Sequence, residues 1–415
     1  MPRRGATLGR GALARRSAAE WGIRGLLAAV AATLGYVSVS RTLAYPLRAS
    51  DPERARALSP GDGRITALAA QTLAIADATP ADRIRADRLA RTALQQDPTA
   101  VSAVSTLGID AQLRGDTAGA RRLFAYAETL SRRDIATQLW AVEDAVGRGD
   151  VNGALRHYDI ALRTSSTAPD LLFPVLASAI ADPAIRVALT RTLAARPSWG
   201  DAFLTYVAAK GPDPRATARL LTGLRRAGLA VSDGASAEIV NLLISSNFLD
   251  DAWSYHASVH PGIDRRRSRD PRFMAEVAAP SPFDWVPLND GGITTSIQRG
   301  DRGGIFDFAV PASVGGPLLR QVQVLPAGDY RLEGHGSGIE QPEGSAPYWV
   351  LSCGDGRELG RVVMPNSSQA GGRFAGRFVV PTGCPIQTLT LVARPSDMVS
   401  GVSGEIDQVR LFPAK

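Results

Sequence analysis

Arg114-Gly115-Asp116-Thr117-Ala118-Gly119-Ala120-Arg121-Arg122 is answered, 34 residues later, by Arg148-Gly149-Asp150-Val151-Asn152-Gly153-Ala154-Leu155-Arg156, with six of the nine positions identical. That offset is the length of one kind of helix–turn–helix repeat. Gly115 and Gly149 stand where a helix must stop and turn, a position that favours positive φ. Asp116 and Asp150 are placed to cap the next helix by accepting a backbone N–H. Ala120 and Ala154 are small, as two closely approaching helices require. Phe124 and Tyr158, then Ala127 and Ala161, recur at the same offset and form a large-then-small packing stripe on one helix face.

On these residues the chain resembles the tetratricopeptide repeat family. Aligned on that signature, Leu107 and Gly108 fall in the first helix of a unit, and Ala120, Phe124 and Ala127 in its second. The unit before offers Leu73, Ala86, Ala90, Ala93 and Pro98, with Ala74 in place of the usual glycine and Ala90 in place of the aromatic. The unit after keeps Gly149, Ala154, Tyr158 and Ala161, with Val142 at the helix glycine. The alternative is a non-repetitive helical bundle. The resemblance implies that the first helix of each unit lines a concave groove that takes peptides or helices. Its positions here are Leu68, Gln71 and Ile75, then Ser102, Ser105, Ile109 and Gln112, then Ala136, Leu139 and Glu143. None is lysine or asparagine, unlike repeats that clamp a C-terminal carboxylate. A small-polar and apolar groove suits a helix or an extended apolar segment. The competing role for the same residues is contact between neighbouring repeats.

The chain has 415 residues and a formal charge of +7, and 45% of it is hydrophobic. That length allows two or three domains with sizeable cores. Residues 1–24 hold six arginines and one glutamate, so the remainder carries only +2. The basic balance therefore describes a tail, not a nucleic-acid surface. Only Lys210 and Lys415 are lysines among 47 basic residues, which reads as a GC-rich coding bias.

In order, residues 1–20 read as a basic cytoplasmic tail and 21–45 as a transmembrane anchor. Residues 25–40 are uncharged, Arg24 and Arg41 can snorkel, and Trp21, Tyr36 and Tyr45 suit the membrane interface. The arginine-rich side stays cytoplasmic, which places the bulk in the periplasm of a bacterium, anchored in the inner membrane. A cleaved signal peptide ending near Ser38-Val39-Ser40, or a buried soluble helix, are the alternatives. Residues 46–60 read as a polar tether, with Asp51-Pro52 a helix start. Residues 61–168 are the repeats. Residues 169–280 read as degenerate helical repeats continuing the same solenoid, then a linker. Asp182-Pro183 and Asp213-Pro214 are each an N-cap followed by a first helical residue. The run Arg265, Arg266, Arg267 and Arg269 offers an anionic contact or, more simply, a solvated helix end.

At Pro280-Ser281-Pro282 the alanine-rich helices give way to glycine, proline and short alternating runs. About nine strands in 281–415 argue a jelly-roll-type β-sandwich, with an irregularity between Ile406 and Val409. This part is similar to galactose-binding-like and carbohydrate-binding-module sandwiches. Cys353 and Cys384 both lie in it, and pairing them needs an oxidising compartment, in agreement with the anchor. The alternative is two separate reduced thiols. Trp285, Tyr348 and Trp349 are candidate glycan contacts. Tyr348 and Trp349 point to opposite faces, so at most one is core.

No catalytic constellation emerges, and the chain reads as non-enzymatic, without cofactor or metal. His256 and His260 are one helical turn apart, but no carboxylate lies between them and no cysteine is near. Gly334-His335-Gly336-Ser337-Gly338 reads as a glycine loop after a strand and lacks the strand–turn–helix setting of a hydrolase elbow. Asn289-Asp290-Gly291-Gly292 and Asp355-Gly356-Arg357-Glu358 are turns of a kind that can hold structural Ca²⁺. The expectation is a transmembrane helix, an α-helical solenoid and a C-terminal sandwich. Together they form a scaffold whose partners are envelope or polysaccharide-assembly proteins. The alternative is a glycan-binding protein acting on polysaccharide through the sandwich.

Overall fold

The computed structural model describes residues 18–74, 78–300 and 303–414. The basic tail up to residue 17 and the groove residue Ile75 lie outside the described residues. The chain divides between Ser166 and Thr167 into two compact units.

The first unit opens with helix α1 (Ala18–Leu47), 30 residues long and apolar enough to cross a membrane. At 1.5 Å per residue it is about 45 Å long, more than the ~30 Å hydrocarbon core demands. Leu26, Leu27, Leu34 and Tyr36 on it are exposed. Only Ser40 and Ala44, near its C-terminal end, are buried. Ala44 packs against Ala55 of α2 (Pro52–Leu58) and Ile65 of α3 (Gly63–Leu73). Residues 46–60 are therefore not a free tether. Asp51 caps α2 by accepting from the N–H of Arg54, and Ala55 is wholly buried.

Then come α4 (Pro80–Gln96), α5 (Val101–Leu113), α6 (Thr117–Leu130), α7 (Ile135–Gly147) and α8 (Val151–Thr164). They pack as successive pairs, α3 with α4, α5 with α6 and α7 with α8. The 34-residue identities have structural counterparts. Gly115 (φ 82°) and Gly149 (φ 70°) take the left-handed conformation. Gly115 N–H donates to Gln112 O and Asp116 N–H to Ala111 O; Gly149 to Val146 O and Asp150 to Ala145 O do the same. Each is a Schellman ending, which satisfies carbonyls the helix leaves free. Asp116 and Asp150 then accept from Gly119 N–H at 2.7 Å and Gly153 N–H at 2.8 Å. The Gly119 and Gly153 identities have their own cause: a Cβ there would collide with the capping carboxylate. Gly108 lets the ring of Phe124 lie against the backbone, and Phe124 stacks on Trp140 at 4.4 Å. The first pair departs from the pattern, because α3 stops at Leu73, where the pattern of α5 would continue it.

The second unit begins with α9 (Ala168–Ala179), α10 (Pro183–Ala194), α11 (Gly200–Lys210), α12 (Pro214–Arg226), α13 (Asp233–Ser245) and α14 (Leu249–Val259). Asp182 and Asp213 cap α10 and α12 as their sequence setting predicts. α9, α11 and α13 pack as one row, and α10, α12 and α14 as a second. These helices fall with the sandwich in the second compact unit.

The sandwich has two antiparallel five-stranded sheets. One holds β1 (Val286–Pro287), β4 (Gly316–Gln323), β9 (Gln387–Ala393), β6 (Tyr348–Cys353) and β7 (Glu358–Val363), in that spatial order. The other holds β2 (Thr294–Gly300), β3 (Gly303–Val310), β10 (Val402–Pro413), β5 (Gly328–Ser337) and β8 (Arg373–Val380). Inward residues alternate with outward ones, as in β9, and bury Leu319, Trp349, Leu389 and Leu391 against Phe306, Phe308, Leu332 and Phe378. The expected irregularity in the last strand is a register shift between Ile406 and Gln408. The core starts earlier than the composition change at Pro280. Phe273 is wholly buried in it, Ser268 N–H donates to Leu411 O at 2.9 Å, and Val409 N–H donates to Pro271 O at 2.9 Å.

Candidate functional site

In the first unit the groove positions divide by exposure. Gln112 and Glu143 are exposed; Gln71, Ser102, Ile109 and Leu139 are half-buried. Ser105 is fully buried, its hydroxyl turned to Ser102 O, so it is not a groove contact. Ile109 packs against the cluster of Ala111, Ala120 and Phe124. Gln112 accepts from Trp140 Nε1 at 3.3 Å, which ties one pair to the next. Leu113 and Val146 stay exposed near the C-terminal ends of α5 and α7. His157 is buried against Gln138 Oε1 at 2.9 Å. Burial holds its imidazole below the ordinary value, against the opposing pull of Glu128.

In the sandwich, Cys353 and Cys384 form a disulfide with Cα atoms 5.7 Å apart. The aromatic platform is corrected. Trp285 is 5% exposed, with its Nε1–H on Asp270 O at 2.9 Å, and Trp349 is 0% exposed, so neither can meet a sugar. Their rings sit edge to face with centroids 5.9 Å apart, because the core of the two sheets needs both volumes. Tyr348 is the outward member of the Tyr348–Trp349 pair. The guanidinium groups of Arg361 and Arg394 lie 4.1 Å and 4.8 Å from its ring centre. Its π-face is thereby engaged.

The histidine–glycine stretch is also corrected. Gly334, His335, Gly336 and Ser337 belong to β5, not to a loop. A Cβ on Gly334 would strike the ring of Phe374 and the backbone of β10, so glycine is required by packing. His335 is half-buried at 2.9 Å from Asp407. The two turns considered for Ca²⁺ close on themselves: Asn289 Oδ1 accepts from Thr295, and Asp355 Oδ1 from Arg357 N–H.

The arginine run is not one feature. Arg266 and Arg267 pair with Asp264 on the surface, and Arg265 binds Asp250 and Val324 O. Arg269 is fully enclosed. It donates to Phe283 O, Gln323 Oε1 and Val322 O, and its guanidinium lies over the rings of Trp253 and Phe283. Burial pulls it down to about 9, opposed by Asp284, so it is charged at neutral pH. Gln321 receives the N–H of Arg269 and donates to its carbonyl, and Gln323 donates to Gln321. Gln321 and Gln323 are two residues apart on β4 and both fully buried, and buried amides demand partners. That was the available signal for Arg269.

Beside Arg269, His256 and His260 of the α14 end meet Asp284, their ligand-type atoms all within 4.8 Å of one another. His256 is 3% exposed. Burial, then Arg269 and His260, lower its imidazole to about 3, which keeps it neutral. A cavity of ≈ 50 Å³ adjoins the three, lined also by Asp233, Ser236, Tyr255 and Glu276.

No protein-family model matches the chain, and no curated protein matches it. Among solved structures, the Streptococcus pneumoniae accessory secretory protein 1,2 and 3 structure shares 12% identity, over 35% of this chain and 97% of that one, with a TM-score of 0.24. A carbohydrate-binding module in complex with beta-1,4-galactotriose shares 18% identity over 31% of this chain and 88% of that one, with a TM-score of 0.23. The enzymatically active domain of bacteriophage CBA120 tailspike protein 4 shares 15% identity over 31% of this chain, with a TM-score of 0.22. This chain covers only 18% of that tailspike domain. At these scores the likenesses carry no argument about function.

Proposed function

We propose that the protein is a non-enzymatic scaffold, anchored in a bacterial inner membrane and facing the periplasm, which binds partner proteins through its helical repeats in exopolysaccharide or envelope assembly. One observation carries this reading. α1 exposes an apolar surface long enough for a bilayer, yet its end is locked into the repeat array through Ala44, Ala55 and Ile65. An anchor built into the array holds that array at the membrane surface. The disulfide supports an oxidising compartment on the same side. Exposed Gln112, Glu143, Leu113 and Val146 offer the mixed polar and apolar contacts that a bound helix needs.

The test uses the full-length chain in bacterial membranes. Changing Ile109, Gln112 and Leu139 together to alanine should abolish crosslinked partner capture while leaving membrane insertion intact. Partner capture that survives the triple change sinks the groove assignment. Alkylation of intact cells should find Cys353 and Cys384 oxidised; free thiols would place the bulk in the cytoplasm and overturn the topology. The glycan reading has lost two of its three named contacts to the core, Trp285 and Trp349, and the third, Tyr348, is covered by arginines.

A further inference from the structure

The end of α14 brings together the cluster of histidine and carboxylate groups that has metal-ligand spacing among the described residues. We propose that His256, His260 and Asp284 bind a divalent transition-metal ion of the zinc type, with water as a further ligand. The site is independent of the scaffold reading.

The donor set is that of zinc: imidazole nitrogen and carboxylate oxygen, in tetrahedral array. Bonds of ~2.0 Å require ligand atoms about 3.3 Å apart. The present separations, up to 4.8 Å, must therefore close by roughly 1.5 Å. His260 has the freedom to supply this. It is the residue after the last turn of α14, with φ −119° and ψ 82°, and is half-buried. Its side chain swings without disturbing a helix.

Asp284 is already oriented. Its Oδ2 accepts from the N–H of Ser281 at 2.9 Å and from the Ser281 hydroxyl at 2.6 Å. Both bonds fall on one oxygen, which leaves Oδ1 for an ion. A ligating carboxylate is held in this way by outer hydrogen bonds.

His256 is the second, separate observation. It is 3% exposed, lines the cavity, and packs its ring against Trp253, His260 and Phe283. A neutral imidazole at the wall of a cavity, with a second histidine and a carboxylate beside it, offers a ring nitrogen to an ion there. The cavity of ≈ 50 Å³ has room for a water.

Arg269 is the nearest opposing charge. Its donors go to Phe283 O, Val322 O and Gln323 Oε1, none to the three ligands. Carboxylates of Asp233 and Glu276 line the same cavity and offset it. A bound ion would join the end of α14 to the loop that enters β1, clamping helix row to sandwich within one unit.

The test takes tag-free full-length chain in detergent, stripped by a chelator and titrated with Zn²⁺ and with Co²⁺. One ion per chain is expected, with Co²⁺ giving the intense visible absorption of a low-symmetry tetrahedral site. His260→Ala and Asp284→Asn should each weaken binding more than roughly 100-fold, beyond the loss of an outer-shell partner. His335→Ala, at a half-buried histidine of β5 beside Asp407, should leave it unchanged. His260→Cys keeps a ligand and should add a thiolate-to-Co²⁺ charge-transfer band, which a merely structural residue cannot produce. No uptake by the wild-type chain, uptake indifferent to His260→Ala and Asp284→Asn, or a folded His260→Cys chain without that band overturns the proposal.

Discussion

Replacing Arg269 with alanine should separate it sharply from the three arginines beside it in sequence. The substitution orphans three acceptors, the carbonyls of Phe283 and Val322 and Oε1 of Gln323. Each buried acceptor left unmade costs about 1–3 kcal/mol. Loss of the guanidinium over Trp253 and Phe283 adds about 1 kcal/mol. Against this stands relief of the desolvation of a buried charge, so the net should be about 4 kcal/mol, the usual cost of breaking a buried ionic network. That is a large part of the 5–15 kcal/mol typical of a domain. Arg266 and Arg267 are 63% and 64% exposed, and removing either should cost about 0.5 kcal/mol. Arg269→Lys keeps charge but loses the planar fork, and should fall between, near 2 kcal/mol. Urea unfolding followed by tryptophan emission reads all four variants, since Trp253 lies under the Arg269 guanidinium. A loss for Arg269→Ala within 1 kcal/mol of that for Arg266→Ala would refute the claim that its bonds hold this seam together.

Three further outcomes follow from the structure. Gly153→Ala, which in an ordinary helix gains about 1 kcal/mol, should instead lose about 1 kcal/mol, because the new Cβ collides with the Asp150 cap; a rise in Tm contradicts this. Removing the disulfide with Cys353→Ser and Cys384→Ser, across a sequence separation of 31, should cost roughly 3.5 kcal/mol in chemical denaturation, and no change under oxidising conditions would show the pair idle. His157 has a lowered folded-state value, so the unfolded chain binds the extra proton: its contribution is complete above about pH 6.5 and is lost as pH falls below it. His157→Gln should flatten that acid-side slope of stability, and an unaltered slope would assign it elsewhere.

The repeats were legible because they are local. Gly115, Asp116 and their partners 34 residues on fix a helix end and the next helix start within six residues, and hydrogen bonds of that range follow from residue type alone. Strand alternation was equally local, so the sandwich and even the shift near Ile406 could be read from it. Alternation also separated Tyr348 from Trp349, but not which of them was outside; that depended on the opposite sheet. The glycines around His335 read as a loop because glycine usually means a turn. Here Gly334 is small because Phe374 crosses it, a contact between strands distant in sequence. The third member of the histidine cluster was missed for the same reason: Asp284 lies beyond the helix that carries His256 and His260, and nothing periodic connects them.

The segment between α14 and β1 shows why composition placed the domain edge too late. It forms no regular element, so neither helical nor strand periodicity marks it. Its contribution is made by single residues. Phe273 enters the sandwich core, Arg269 binds the carbonyls of Phe283 and Val322, and Pro271 O extends the bonding of β10. Such a segment acts as a covering strand without the repeating hydrogen bonds that would define one. Because its polar groups find partners on the sandwich and its ring contacts reach Trp253 of α14, helix row and sandwich share one buried seam. Arg269 thus joins Trp253 of α14 to Gln321 and Gln323 of β4 by direct contact, so the two parts of the second unit cannot part along this seam without breaking its hydrogen bonds.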